Sequence, residues 1–140
     1  MKAQSSSSQR RVATLAAIYA ALFCLTLWAA YTDNLPTHLL KTIPYYDKIG
    51  HLVLYFIPSY LGHRVLRNRH FNALGLRLPI FPALFGLFTV TEELIQGFSP
   101  YRTLDMVDLI CGFVGIVIGY GLAQHHQQKM KAALTRNQVS

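Results

Sequence analysis

The sequence predicts an all-α protein, an integral membrane bundle of four transmembrane helices with both termini in the cytoplasm. Three observations predict it. The 140 residues are 52% hydrophobic and only 14% charged, where a soluble domain runs near 25% charged. Four apolar stretches of about 20 residues each match a hydrocarbon core of roughly 30 Å at about 1.5 Å of rise per residue. The charges are also sorted. Ten of the 13 basic residues fall in the two tails and the middle connection, which contain no acid. A soluble chain of this length has too few polar residues to cover four such helices.

The elements follow in order. Residues 1–11 form a polar cytoplasmic tail, in which QSSSSQ at 4–9 reads as disordered. The first span, residues 12–31, reads VATLAAIYAALFCLTLWAAY and has no charge. It is longer than the apolar region of a signal peptide and more spans follow it, so a retained helix is expected. The second span, 45–64, includes IGHLVLYFIPSYLG. Pro44 suits its first turn and Pro58 is expected to kink it. The third span, 78–97, has Pro79 and Pro82 at its cytoplasmic start. The fourth, 104–123, carries Gly112, Gly115 and Gly119 on one face. Gly115 and Gly119 form a GxxxG pair that lets another helix approach closely, either inside the bundle or across a homo-oligomer contact. Residues 12–123 thus make up the membrane domain, and 124–140 a basic cytoplasmic tail whose QHHQQ at 124–128 is a solvated helix end. Cys24 and Cys111 read as small apolar fillers, since two cysteines set no metal pattern.

Orientation follows from the positive-inside rule. Lys2, Arg10 and Arg11, then Arg64, Arg67, Arg69 and Arg77, then Lys129, Lys131 and Arg136 mark the cytoplasmic side. Lys41, Lys48 and Arg102 share the other side with all six acids: Asp33, Asp47, Glu92, Glu93, Asp105 and Asp108. Trp28, Tyr31, Tyr45, Tyr46 and Tyr101 fall at the outer interface, where aromatic rings prefer to sit. The expected location is the inner (cytoplasmic) membrane of the cell, crossed several times. The basic residues flank apolar spans, so topology and anionic headgroups account for them and no nucleic-acid partner is expected.

The acids and their companions converge at one depth. Asp47, His51 and Tyr55 share a face of the second helix at i, i+4 and i+8. Glu93 lies near the outer end of the third helix, with Gln96 one turn outward. Asp108 lies one turn into the fourth, with Asp105 above it, and Arg102 is in the short outer loop. Helix rise puts His51, Glu93 and Asp108 about 5 to 10 Å below the outer surface. Ionisable groups there face the bundle interior or a wet cavity and are functional candidates. His51, Glu93 and Asp108 are the candidate acid–base groups. Asp47, Lys48, Tyr55, Gln96, Arg102 and Asp105 are the candidate ligand contacts. Plainer readings stand beside these. Asp47 can complement the helix dipole, Lys48 can snorkel to the interface, and Arg102 can pair with Asp105 or Asp108. Tyr55 and His51 can fill the core. Glu92 points about 100° away from Glu93, so one of the two is expected to face the interface. No H-E-x-x-H or paired-histidine spacing is present, so neither a metal nor a cofactor is expected.

DKIGHLVLYF, then ELIQGFSPYRTLDMVDL, then GFVGIVIG resembles the VanZ-like family of small membrane proteins. The family pattern runs D-K-x-x-H-x-x-x-Y, then E-x-x-Q with a P-G-R loop, then D-x-x-x-N-x-x-G-x-x-x-G. Asp47, Lys48, His51 and Tyr55 match the first part, Glu93 and Gln96 the second, Pro100 and Arg102 the loop, and Asp108, Gly115 and Gly119 the last. Tyr101 stands where the loop usually has glycine, and Gly112 where asparagine is expected. The family is named for a protein linked to teicoplanin resistance, so the resemblance implies a role in glycopeptide or envelope-stress tolerance.

Three functions fit these residues. The outward pocket binds a membrane lipid or the headgroup of a lipid-linked envelope precursor. Alternatively, it performs acid–base chemistry on such a substrate, with Lys48 and Arg102 holding a phosphate or carboxylate. In the third reading, the polar groups only fix helix register in an assembly partner.

Overall fold

The computed structural model describes residues 2–36, 42–73 and 75–139. Among these, four helices carry the fold: α1 (Lys2–Tyr31), α2 (Tyr46–Val65), α3 (Ile80–Gln96) and α4 (Met106–Val139). A short antiparallel hairpin of β1 (His70–Ala73) and β2 (Leu76–Pro79) joins α2 to α3. The predicted all-α class therefore holds, with one small hairpin added. By length and composition, the helical stretches Ser7–Tyr31 and Met106–Arg136 are long and apolar enough to cross a membrane. α2 interrupts its apolar run with Asp47, Lys48, His51 and His63. α3 has only 17 residues, about 26 Å of helix.

Cross-helix bonds show that successive helices alternate in direction. Gln9, near the start of α1, donates to the Val65 carbonyl at the end of α2. Tyr31, at the end of α1, reaches Glu92 near the end of α3. Lys48, at the start of α2, reaches Asp105 just before α4.

Several boundaries differ from expectation. The helix already runs through residues 4–9 rather than leaving them disordered, because the long apolar run propagates helix upstream and Gln9 is anchored on α2. α4 likewise continues through most of the basic tail, with His125 and His126 exposed on it. Pro44 precedes α2 rather than opening it, because Tyr45 adopts a left-handed conformation at φ 56° and the helix starts at Tyr46. The third and fourth helices start at Ile80 and Met106, two residues later than read.

The interior is narrow. Phe23, Tyr55 and Ile116 form its apolar cluster, with Tyr19, Leu27, Leu54 and Phe85 packed against it. Phe23 meets the Tyr55 ring edge-on at 5.8 Å. Most other buried side chains are polar: His51, Ser59, His63, Thr89, Glu92, Glu93, Gln96 and Asp108. The outer faces are apolar instead, with Leu15, Ile18, Leu22 and Leu25 exposed on α1 and Ile110 and Val117 on α4. This distribution inverts that of a soluble protein.

Two sequence features set the packing. Gly115 and Gly119 let α4 lie directly on the α2 backbone. A Cβ at Gly115 would collide with the Leu52 carbonyl, and one at Gly119 would meet the Phe56 carbonyl and the Tyr60 amide nitrogen. Gly112 faces the Thr89 methyl and the Tyr55 ring. The three glycines thus pack against α2 and α3 within the chain, the first of the two contacts that their spacing allowed. Pro58 is the second feature. Its missing N–H frees the Leu54 carbonyl one turn earlier, and Tyr19 of α1 donates its hydroxyl there at 3.3 Å. Tyr19→Phe is expected to lower stability by about 1 kcal/mol, since a carbonyl inside the bundle loses its donor. Pro58→Ala, which restores an N–H, should remove most of that effect. Thermal unfolding of Tyr19→Phe, Pro58→Ala and the double variant in detergent checks it.

Candidate functional site

The end of the bundle formed by the C-terminal ends of α1 and α3 and the N-terminal ends of α2 and α4 carries two linked polar networks. The first is built on Lys48. Its Nζ lies 3.0 Å from Asp47 Oδ2, 2.5 Å from Asp105 Oδ2 and 2.7 Å from Asp108 Oδ1. The contact to Asp108 Oδ1 is an ion pair without hydrogen-bond alignment, and that buried oxygen has no hydrogen-bond partner among the described residues. His51 lies beside it, with Nδ1 3.7 Å from the same oxygen. His51 Nδ1 also sits 2.9 Å from the Asp47 carbonyl, which can only accept. Nδ1 therefore carries the proton, and in the neutral ring Nε2 keeps a lone pair.

The second network is built on Glu92, which is 5% exposed. Its carboxylate accepts from the Tyr31 hydroxyl at 3.1 Å, the Tyr55 hydroxyl at 3.0 Å, and the Gln96 amide at 2.8 and 2.7 Å. Arg102 Nε in turn donates to Gln96 Oε1 at 3.1 Å. Three hydrogen-bonding partners and a nearby guanidinium offset the burial of this charge.

Glu93 and His51 join the networks. Glu93 Oε1 accepts from the Asp105 backbone N–H at 2.7 Å, while Asp105 Oδ1 accepts from the Val107 N–H at 2.8 Å. This double cap fixes the start of α4 against the end of α3. The His51 ring stacks on Tyr55, with centroids 5.9 Å apart and planes 11° apart.

The structure therefore brings all nine predicted site residues to one end of the bundle, with some changes of partner. Arg102 bonds to Gln96 rather than pairing with Asp105 or Asp108, because Lys48 already lies between those two carboxylates. Lys48 turns inward instead of snorkelling. Glu92 and Glu93 are both buried, so neither faces the interface. Asp47, Asp105 and Asp108 could together hold a cation by spacing alone, but the Lys48 ammonium occupies their centre. At Gly112, the Tyr55 ring and the Thr89 methyl fill the space.

The sequence reading missed two residues of the second network, Glu92 and Tyr31. The i, i+4 spacing of Glu92 and Gln96 was the available signal. It also missed a cluster at the opposite end. His63 is fully buried there, and its Nε2 lies 3.1 Å from the Gln124 amide nitrogen. His70 Nε2 lies 3.3 Å from the same nitrogen and 3.2 Å from the Tyr120 hydroxyl. His70 Nδ1 is held by the Asn68 carbonyl at 2.9 Å.

No family model matches this chain, and no solved structure matches it. An uncharacterised protein of the fission yeast Schizosaccharomyces pombe is 23% identical over 122 residues, which cover 86% of this chain and 70% of that protein. The likeness to the VanZ-like pattern rests on the motif residues themselves.

Proposed function

We propose that this chain is a VanZ-like multi-pass membrane protein whose four helices all cross the bilayer with both termini cytoplasmic. Its outward polar networks bind a lipid or envelope-precursor headgroup that carries both an amine and a phosphate. The inverted distribution of side chains, apolar outside and polar within, supports the membrane reading. The arginines flanking the hairpin, at the end opposite the networks, support the orientation.

The charge of the site carries the headgroup reading. Five carboxylates, on Asp47, Glu92, Glu93, Asp105 and Asp108, face two described cations, Lys48 and Arg102. A purely anionic headgroup would meet net repulsion. Lys48 is already held by three carboxylates and is not free for a phosphate. Arg102 uses Nε on Gln96, and among the described residues its terminal nitrogens have no hydrogen-bond partner. A phosphate fits the Arg102 fork, and a neighbouring ammonium fits the excess carboxylates.

Lipid retention in nanodiscs, read by native mass spectrometry, tests this. Phosphatidylethanolamine is expected to be retained over phosphatidylglycerol. Arg102→Ala should weaken retention roughly tenfold, the loss of one charge-assisted contact. Equal or preferential retention of phosphatidylglycerol would rule the reading out. The Nε2 lone pair of His51 favours acid–base chemistry as a second reading. Headgroup loss from the same discs over time, abolished by His51→Gln, would move the conclusion there.

A further inference from the structure

We infer that α2 carries a proton path along the length of the bundle, from the outer networks to the histidine cluster at the other end. The inference rests on the four-span reading above.

Every fourth residue of α2 from Asp47 onward is polar: Asp47, His51, Tyr55, Ser59 and His63. The last four are buried, at 8%, 2%, 0% and 0% exposure. A spacing of four places them in one row, each about 6 Å from the next. α3 adds the buried Thr89 and Glu92 to the interior. Aliphatic side chains would fill this interior without the cost of burying polar groups. The two glycines that bring α4 onto α2 pack beside this row, since Gly115 meets the Leu52 and Phe56 backbone of the adjoining face, and Gly119 meets the Phe56 and Tyr60 backbone there and the Ser59 Cβ of the row itself.

Local bonds leave the row with spare capacity. Ser59 donates to the Ile116 carbonyl at 2.8 Å and keeps its oxygen lone pairs. Tyr55 links the row to the Glu92 carboxylate. His63 has Nε2 at the Gln124 amide, while its buried Nδ1 has no partner among the described residues. An imidazole with one nitrogen on each side of a junction can take a proton at one and release a proton from the other. At the outer end, the His51 Nε2 lone pair offers the matching acceptor.

The transfer requires no oxidant and leaves no net chemical change. Each N–H or O–H that releases a proton onward accepts one from behind, and the groups then reorient. One helical turn is longer than a hydrogen bond, so single waters must bridge successive members. Transient entry of such waters beside Ser59 would set the rate.

The test uses the full chain reconstituted in liposomes that enclose a pH-sensitive dye, with a potassium–valinomycin potential as driving force. Wild type is expected to carry protons several-fold faster than protein-free liposomes. His63→Phe should fall to that background. Ser59→Val, which blocks the row with methyl groups, should do the same, while Ser59→Thr, which restores the hydroxyl at the same size, should conduct. Wild-type flux at background, or blocked variants that conduct like wild type, would overturn the path. Lipid retention by the same preparations separates the two proposals. Retention without flux removes the path alone, and flux without retention removes the headgroup reading alone.

Discussion

Gly115→Ala is expected to destabilise the bundle by about 3 kcal/mol or more, near the top of the range for overpacking. The reason lies in what the new methyl would meet. Its neighbours are the Leu52 carbonyl and the Phe56 amide nitrogen, both backbone atoms inside a helix. A side chain in the way could change rotamer, but a helical backbone can yield only by moving the whole of α2 away from α4. Such a movement would strain the Lys48 contacts to Asp105 and Asp108 and the Ser59 bond to Ile116. Loss of stability and loss of site geometry should therefore appear together. Gly121→Ala is the matched control. Nothing lies within 4 Å of an added Cβ there, and replacing a helical glycine by alanine stabilises by about 0.5 kcal/mol or more. Thermal unfolding in detergent should move in opposite directions for the two variants. Equal melting temperatures for Gly115→Ala and wild type would mean that α2 and α4 do not pack as described.

The same seam shows how far the sequence could be read. A GxxxG in an apolar run announces a close helix contact, but not whether the partner helix lies in the same chain. The choice depended on Leu52, Phe56 and Tyr60, which look like ordinary apolar positions in the sequence. The polar face of α2 was visible because Asp47, His51 and Tyr55 recur every four residues. Its continuation through Ser59 and His63 was not, since one serine and one histidine near an arginine-rich connection look like interface residues. His70 joined them only through the hairpin. Gly75 at φ 76° provides that turn, and the strands of four residues each are too short to announce themselves by alternation.

Glu92 and Glu93 illustrate a different limit. Adjacent positions on a helix point about 100° apart, so a helix with one buried face should bury only one of them. α3 has two buried faces at its C-terminal end. Glu92 turns toward Tyr31 of α1 and Tyr55 of α2, while Glu93 turns toward Asp105, the residue just before α4. Single-helix periodicity cannot reveal contacts with three neighbours at once. It could identify the acids as candidates, but not divide them into a buried hub, Glu92, and a cap, Glu93.

Lys48→Met should cost about 3 kcal/mol, the low end for removing one partner of a buried pair, because about a fifth of the Lys48 side chain remains exposed. Asp108 is the residue at risk. Its side chain is 7% exposed, and its Oδ1 has no hydrogen-bond donor among the described residues to replace the ammonium. The variant leaves Asp47, Asp105 and Asp108 facing one another within 4.8 Å, with no cation between them. Asp108→Asn in the same background removes the uncompensated buried charge, and replacing both members of a pair is often nearly neutral. The double variant should therefore recover most of the stability lost by Lys48→Met. Headgroup retention distinguishes the site's chemistry from its stability. If the excess of carboxylates holds an ammonium, the double variant keeps the same net charge and should retain phosphatidylethanolamine. If Lys48 itself contacts the phosphate, the double variant will be stable and still fail to retain the lipid. That result would transfer the anion-binding role from Arg102 to Lys48.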